Sequence, residues 1–372
     1  MIWIEICIFI FIIYAFLIFV YYFGWQGMPV FETLIEPLNI FISVIVPFRN
    51  EEKNIANILN DINQQTIGKN LFELIAVNDH SDDDSLSICQ GFESKMTNLK
   101  IIDLPKEVFG KKNAIKTAID HSVGELIVTI DADCRVDKKW LQTIATYYSL
   151  KKPDMIICPL LYHNENGMFQ YLQSLELMSL VASGGSAAAI QHPIMCNGAN
   201  LAFSKKAYTS SCENLKPEIP SGDDIFLLLA LKKQGASKIV FLKSLDALAN
   251  TEAESNISNF FHQRKRWVSK SKNYNDFDII SVAILIFIVN SILLIALLSA
   301  FFNHKFYTLF IALFFIKLIA DFPLLHSFAK FFNKRYLLKY IVIAQLVYPV
   351  YIVFTAIFGM FGKVQWKQRS YN

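Results

Sequence analysis

Leu126-Ile127-Val128-Thr129-Ile130-Asp131-Ala132-Asp133 is an apolar, β-branched run that ends in two carboxylates one residue apart. A short continuous run of this kind reads as a buried strand. Side chains alternate along an extended chain, so Asp131 and Asp133 point the same way if the extension continues. Two carboxylates at the C-terminal end of a strand can hold a hard divalent cation and leave coordination sites for phosphate oxygens. Taken alone, the tripeptide is explained better by an Asx-type turn with both Asp residues solvated. The surrounding chain reverses that preference.

Upstream, Ile42-Ser43-Val44-Ile45-Val46-Pro47 reads as a buried strand, followed by the polar turn Phe48-Arg49-Asn50-Glu51-Glu52. Ile55, Ile58, Leu59 and Ile62 then recur at helical spacing. Phe72 to Val77 is a second strand and ends in Asn78-Asp79-His80, with Asp79 where α/β folds place ligand groups. Leu99 to Asp103 is a third strand. Gly110-Lys111 opens the helix that follows, a position where free N–H groups and a lysine charge together suit an anion. Strand and helix alternate through 42–150, which predicts a mainly parallel, doubly wound α/β sheet. Its carboxyl edge would gather Pro47, Asp79, Asp131 and Asp133.

Downstream the alternation changes. Met155 to Leu160 reads as a strand, 167–183 as a helix, and Ser183 to Ala189 as a separate small-residue stretch. Asn197-Gly198-Ala199 is a loop that enters the strand ending at Phe203. Ser221-Gly222-Asp223-Asp224 precedes an apolar helix, Ile225 to Leu231, where acidic residues commonly act only as helix caps. Ile239 to Leu242 is a late strand. In 255–274, Gln263, Arg266 and Trp267 stand at i, i+3 and i+4 and share one helix face. Aromatic residues and Lys270 and Lys272 around them predict an amphipathic helix at a membrane surface.

The composition agrees with a membrane location. The 372 residues are 53% hydrophobic and only 18% charged, with 32 Phe, which is too apolar for an ordinary soluble domain. Residues 1–23 form an almost continuous apolar segment. It lacks the basic start and small-residue cleavage site of a signal peptide and carries Tyr21, Tyr22, Phe23 and Trp25 as an aromatic belt, so it reads as an anchor. Apolar stretches at about 279–302, 306–328 and 340–361 predict two or three further spans within 279–362. Lys317 and Asp321 lie inside the middle one and must face protein or water, as a functional or a structural pair. Six scattered Cys residues without a CxxC pair suggest neither a zinc site nor a disulfide framework. A net charge of +3 by itself argues neither for nor against nucleic acid.

Lys330, Lys334, Arg335 and Lys339 make the loop between the last two spans cytoplasmic by the positive-inside rule. Counting back places 24–278 in the cytoplasm. Counting forward places the basic tail (Lys363, Lys367, Arg369) outside, against the rule, unless the Pro349-containing segment re-enters rather than spans.

The ordered series strand-Pro47, Asp79, Gly110-Lys111, Asp131-x-Asp133, Asp223-Asp224 and Gln263-x-x-Arg266-Trp267, followed by membrane segments, resembles the membrane-bound family 2 glycosyltransferases. These include ceramide glucosyltransferases and the cellulose, hyaluronan and poly-N-acetylglucosamine synthases. The resemblance covers roughly 40–270 plus the membrane regions. It implies a GT-A (nucleotide-diphospho-sugar transferase) Rossmann-like domain over 40–254, with the interfacial helix at 255–274 and transmembrane helices at both ends. It implies a nucleotide-sugar donor, UDP-linked by expectation, a lipid-like or glycan acceptor, Mg²⁺ or Mn²⁺, contact with membrane lipid, and no nucleic-acid partner. The catalytic domain would lie on the cytoplasmic face of the cell (inner) membrane.

By the same resemblance, Pro47, Arg49, Glu51 and Asp79 would line the nucleotide pocket, and Lys111 would lie near the nucleotide. Asp131 and Asp133 would bind ribose and the metal. Asp224 would be the general base, with Asp223 replacing the family's usual Glu and so also a candidate. Gln263, Arg266 and Trp267 would cover the diphosphate and the acceptor entrance. Single transfer to a lipid-like acceptor is favoured over processive polymer synthesis, because extrusion needs a channel and the membrane segments are few. A nucleotide-sensing membrane protein or a small transporter that uses Lys317 and Asp321 is the alternative of a different class.

Overall fold

The computed structural model describes residues 2–34, 37–216, 219, 222–235 and 238–359, and the backbone of 364–366 and 369–371. Ser221, Lys363 and Lys367 lie outside the described residues, and of Arg369 only the backbone is described. The chain divides into two compact units: 29–164 with 195–252, and 1–28 with 165–194 and 253–372. In chain order the helices and strands begin with α1 (Ile2–Gly27), β1 (Ile42–Phe48), α2 (Ile55–Asn63), β2 (Phe72–Asn78), α3 (Ser85–Gln90), β3 (Leu99–Asp103) and α4 (Lys111–His121). They continue through β4 (Leu126–Ile130), β5 (Arg135–Val136), α5 (Trp140–Lys151), β6 (Met155–Ile157), β7 (Leu160–His163) and α6 (Met168–Ala189). Next come β8 (Asn200–Ser204), α7 (Lys205–Ser211), α8 (Asp223–Lys233), β9 (Ile239–Phe241), β10 (Ala249–Glu252) and α9 (Ile257–Ser269). Three long helices follow, α10 (Phe277–Ala300), α11 (Lys305–Phe331) and α12 (Ile341–Gly359).

The first unit is built on a seven-stranded sheet in the order β3-β2-β1-β4-β8-β6-β9. The β3-β2-β1-β4 half is parallel, as the strand–helix alternation predicts. β8 then runs antiparallel to both β4 and β6, so the second half is mixed. Every residue of β1, β2 and β4 is buried, because helices cover a parallel sheet on both faces. A small sheet, β5-β10-β7, stands beside it. Its strands are two to four residues long and carry no alternating pattern, so the sequence does not announce them.

The amino-terminal edge of the parallel half is closed tightly. Buried Glu73 accepts hydrogen bonds from Ser43 Oγ at 2.6 Å and the Val123 amide at 2.7 Å, and pairs with Lys100 at 2.5 Å. Gly124 donates its amide to Ser43 Oγ, and a Cβ placed there would stand 2.5 Å from the Ser43 nitrogen and 2.7 Å from the Ile42 carbonyl carbon. Both atoms are backbone of the central strand, so the clash cannot be relieved by a rotamer change. Gly124→Ala should cost about 1–3 kcal/mol, the usual range for overpacking. A thermal or denaturant melt of the purified variant would read this as a lowered midpoint, whereas an unchanged midpoint would contradict the tight closure.

The second unit is mainly helical, with one short antiparallel strand pair at 364–366 and 369–371. Among the described residues, four helices are long and apolar enough to cross a membrane: 2–27, 277–300, 305–331 and a segment from Arg335 to Gly359. The last continues as one helix, α12, through Pro349. The predicted break after 183 is absent, because α6 runs on through Ser183-Gly184-Gly185-Ser186 to Ala189. Small residues there let α1 approach closely: a Cβ on Gly24 would stand 3.0 Å from the Ser186 carbonyl. Lys317 and Asp321 are buried and meet at 2.7 Å. Gln345 accepts from Lys317 at 2.8 Å, and Tyr14 donates to Asp321 at 2.5 Å, so this pair ties α1, α11 and α12 together.

Candidate active site

The carboxyl ends of β1 and β2 are joined by buried Arg49. Its Nη1 donates to the carbonyls of Asp79 at 2.8 Å and His80 at 2.6 Å, and its Nη2 lies 3.2 Å from the Asp82 carboxylate. Asn50 and His80 both adopt left-handed φ, near 51° and 53°, which turns the two strands sharply at their ends. The Asn50 amide donates to Ser81 Oγ, and Asn50 Oδ1 accepts from the Asp82 amide, so the two turns are zipped together. Pro47 is buried beyond the last β1–β4 pair, Ile45 with Thr129. Glu51 opens α2: its carbonyl accepts from the Asn54 and Ile55 amides, and its carboxylate from Asn54 Nδ2 at 2.8 Å.

Asp79 is 1% exposed and accepts from the Gly110 amide at 3.1 Å. Gly110 has φ 92°, a conformation that L side chains rarely adopt, and it delivers the chain into α4 with Lys111 first. Lys111 and Lys112 then diverge. Lys112 donates to the carbonyls of Leu215 at 2.8 Å and of Lys216, and lies over the Phe226 ring. Lys111 Nζ lies 2.5 Å from Asp131 Oδ1. Burial pulls the Lys111 ammonium down, but the charges of Asp131, Asp223 and Asp224 outweigh it and hold Lys111 above its ordinary value. One lysine therefore stands in the field of three carboxylates that come from β4 and the start of α8.

A third side is formed by the 197–199 loop. Thr129 Oγ1 donates to the Gly198 carbonyl at 3.1 Å, and the Gly198 amide donates to Asp224 Oδ2 at 3.0 Å. The Ile225 amide holds Asp224 Oδ1 at 2.8 Å. A Cβ on Gly198 would stand 3.2 Å from Asp223 Oδ2 and 3.3 Å from Asp224 Cβ, so a side chain there would crowd the acidic pair, which the glycine lets the backbone approach closely. Gly222, at φ 89°, turns the chain into α8 so that both carboxylates stand in its first turn. The loop is anchored by Asn200, which accepts from Trp140 Nε1 at 3.0 Å and donates to the carbonyls of Pro159 and Ala247. Thr129, Trp140 and Asn200 carry no motif in the sequence, and their roles appear only when the strands are paired.

Asp133 is exposed, and Cys134 Sγ lies 3.8 Å from its Oδ1. Burial first, then the Asp133 and Asp131 charges, push the Cys134 thiol well above its ordinary value, which keeps it protonated and poorly nucleophilic. Among the described residues, no group of three or more His, Cys, Asp and Glu is arranged to hold a metal ion. Asp131 and Asp133 are two hard oxygen donors. That set does not make an all-protein cage, but it fits a small divalent cation that takes one or two carboxylates and completes its shell with substrate phosphates and water.

Gln263, Arg266 and Trp267 lie on α9, in the helical unit. Gln263 Nε2 donates to Glu254 Oε1 at 3.0 Å, and the Glu254 backbone is itself held by Gln173. Arg266 and Trp267 are half-buried. The first unit thus brings together Pro47, Arg49, Glu51, Asp79, Lys111, Asp131, Asp133, Asp223 and Asp224, while the other three residues share one turn of α9. The sequence singles out Arg266 by its spacing from Gln263 and Trp267, yet Arg264 is the arginine that is almost fully buried, at 2% exposure.

Residues 43–209 match the family described as Glycosyl transferase family 2. Glycosyltransferase AglE of Haloferax volcanii is 34% identical over 102 residues, 27% of this chain and 33% of that protein. Dolichyl-phosphate beta-glucosyltransferase ALG5C of Trichomonas vaginalis is 31% identical over 109 residues, 28% of this chain and 32% of that protein. The matched segment thus spans about a third of the length of these relatives. The mannosyltransferase PcManGT from Pyrobaculum calidifontis, solved with GDP-Man and Mn²⁺, shares the fold with a TM-score of 0.57 at 14% identity, over 94% of this chain and 99% of that one.

Proposed function

Since residues 43–209 match the family 2 glycosyl transferases and the chain shares the fold of a solved mannosyltransferase, we propose that it moves a sugar, with inversion, from a nucleoside-diphosphate sugar to a lipid-like acceptor at the cytoplasmic membrane face. The observation that carries the reading is Lys111 in the field of Asp131, Asp223 and Asp224, with Asp224 held in place by the Gly198 and Ile225 amides. Inverting transfer needs a base on the acceptor hydroxyl and a cationic environment for the departing diphosphate. This site offers both within one cluster. The relative that acts on dolichyl phosphate and the four span-length helices support a lipid-like acceptor over a soluble one.

In the proposed reaction Asp224 accepts the proton of the acceptor hydroxyl. Its two amide hydrogen bonds fix its orientation and leave other lone pairs of the carboxylate for that proton. The acceptor oxygen bonds to the sugar C1 as the bond from C1 to the diphosphate oxygen breaks, and the electron pair leaves with the nucleoside diphosphate. Lys111, released from Asp131, and Arg266 offset that charge. Asp131 and Asp133 would hold Mg²⁺ or Mn²⁺, which supplies Lewis-acid stabilisation of the diphosphate. Asp79, Arg49, Pro47 and Glu51 shape the nucleotide end, and Gln263 and Trp267 serve the acceptor entrance. The full set is proposed with the residue roles that the family resemblance implies.

The test is release of free nucleoside diphosphate by the purified chain in lipid, with a panel of nucleotide-sugars and a lipid extract as acceptor, and with the product mass measured. A product heavier by one sugar residue is the expected result. Nucleotide binding without release for every donor would favour a sensor and overturn the reading, and a ladder of many sugars would replace single transfer by a processive synthase. The orientation has its own test. Single cysteines placed in 60–270 of a cysteine-depleted background, in which exposed Cys212 and half-buried Cys7 are replaced, should resist an impermeant thiol reagent in intact cells. Ready labelling there would reverse the orientation.

A further inference from the structure

Arg264 is buried on α9 between Gln263 and Trp267, two of the three side chains proposed to act there. Its Nε lies 3.1 Å from each Glu176 carboxylate oxygen and its Nη2 lies 2.5 Å from Glu176 Oε2. Its Nη1 donates to Gln263 Oε1. Its guanidinium carbon lies 4.2 Å from the centre of the Trp267 ring and 4.3 Å from that of Phe260. Glu176, on α6, also accepts from Tyr351 of α12 at 2.6 Å. A planar, permanently charged fork can bridge a carboxylate while its faces stack on aromatic rings, which lysine cannot do.

Both ends of the Gln263 amide are thereby fixed: the oxygen by Arg264 and the nitrogen by Glu254. The Trp267 ring is fixed by the same guanidinium. We propose that Arg264, gripped by Glu176 and Tyr351, is a positioning residue that sets the Gln263 amide and the Trp267 ring for sugar transfer. The Arg264–Glu176 pair links α9 to α6 and, through Tyr351, to α12, a helix long enough to cross a membrane, so the set of these side chains depends on how the helical unit is packed. The proposal rests on the reading of Gln263 and Trp267 as part of the transfer machinery, and the experiment separates the two.

The full chain in lipid nanodiscs would be assayed as wild type, Gln263→Ala, Trp267→Ala, Arg264→Lys, Glu176→Gln and the double variant Gln263→Ala with Arg264→Lys. Each would be assayed for kcat, donor KM and nucleoside-diphosphate Kd, after a melt confirms folding. Arg264→Lys and Glu176→Gln should lower kcat at least tenfold while the Kd stays within about twofold of wild type. In the Gln263→Ala background, Arg264→Lys should cost less than threefold more, because residues acting through one another are not additive. If Arg264→Lys fails to fold, Tyr351→Phe should lower kcat two- to fivefold at unchanged Kd. Wild-type kcat in the folded Arg264 and Glu176 variants (or, failing those, in Tyr351→Phe), or full additivity in the double variant, overturns the positioning role alone. Wild-type kcat in Gln263→Ala and Trp267→Ala overturns the reading of α9 and the proposal with it.

Discussion

Asp224→Asn should lower turnover by about 10²–10⁴, the range that a lost general base typically costs. The substitution keeps size and the acceptor atom for the Gly198 amide, so the 197–199 loop and the start of α8 should stay in place. What is lost is the capacity to take the acceptor proton. Nucleotide affinity should stay near wild type, because the proposed nucleotide contacts lie at the ends of β1, β2 and β4. Asp223→Asn should cost less, since the family resemblance puts the base at Asp224, which the Gly198 and Ile225 amides hold in place. Donor affinity and turnover measured for both variants decide between the neighbours. Normal turnover in Asp224→Asn with a dead Asp223→Asn would move the base one residue. Normal turnover in both would remove the acidic pair from the mechanism.

Removing divalent metal should have an effect of similar size. A cation on a departing diphosphate supplies several kcal/mol of charge stabilisation, which is about 10²–10³ or more in rate. EDTA should therefore abolish activity, and Mg²⁺ or Mn²⁺ should restore it. Asp133→Asn should raise the metal concentration needed for half-maximal activity and weaken metal-dependent nucleotide binding, because Asp133 is the exposed member of the pair. Asp131 is engaged by Lys111, so metal binding at Asp131 entails moving that ammonium. Full activity in chelator would refute the metal role of Asp131 and Asp133.

The parallel half of the sheet was legible because its strands are continuous apolar runs that end in polar turns, as in Leu126 to Ile130 followed by Asp131. The expectation that Pro47, Asp79, Asp131 and Asp133 gather at its carboxyl edge follows from that regularity. The mixed half was less legible. β5, β7 and β10 are too short to show a period and exist through tertiary pairing. The run Ser183-Gly184-Gly185-Ser186 looks like a break, yet close packing of α1 on α6 keeps it helical. Nothing in the sequence separates Lys111, which faces the carboxylates, from Lys112, which turns to the 215–219 carbonyls. On α9 the spacing marks Arg266 with Gln263 and Trp267, but nothing in the sequence marks Arg264 as the buried one. Which of two adjacent or near-adjacent cations is buried depends on partners such as Glu176, some 90 residues away in the chain, that no local pattern announces.

The central claim is a single displacement in which a carboxylate-activated acceptor attacks C1 directly. Retaining transfer by double displacement would require a different site, one with an enzyme group placed to attack C1 from the opposite side. The most direct measurement is the anomeric configuration of the product, read from the one-bond C1–H1 coupling by NMR after transfer from an α-linked nucleotide-sugar. A β-linked product is predicted. An α-linked product from that donor would contradict the account.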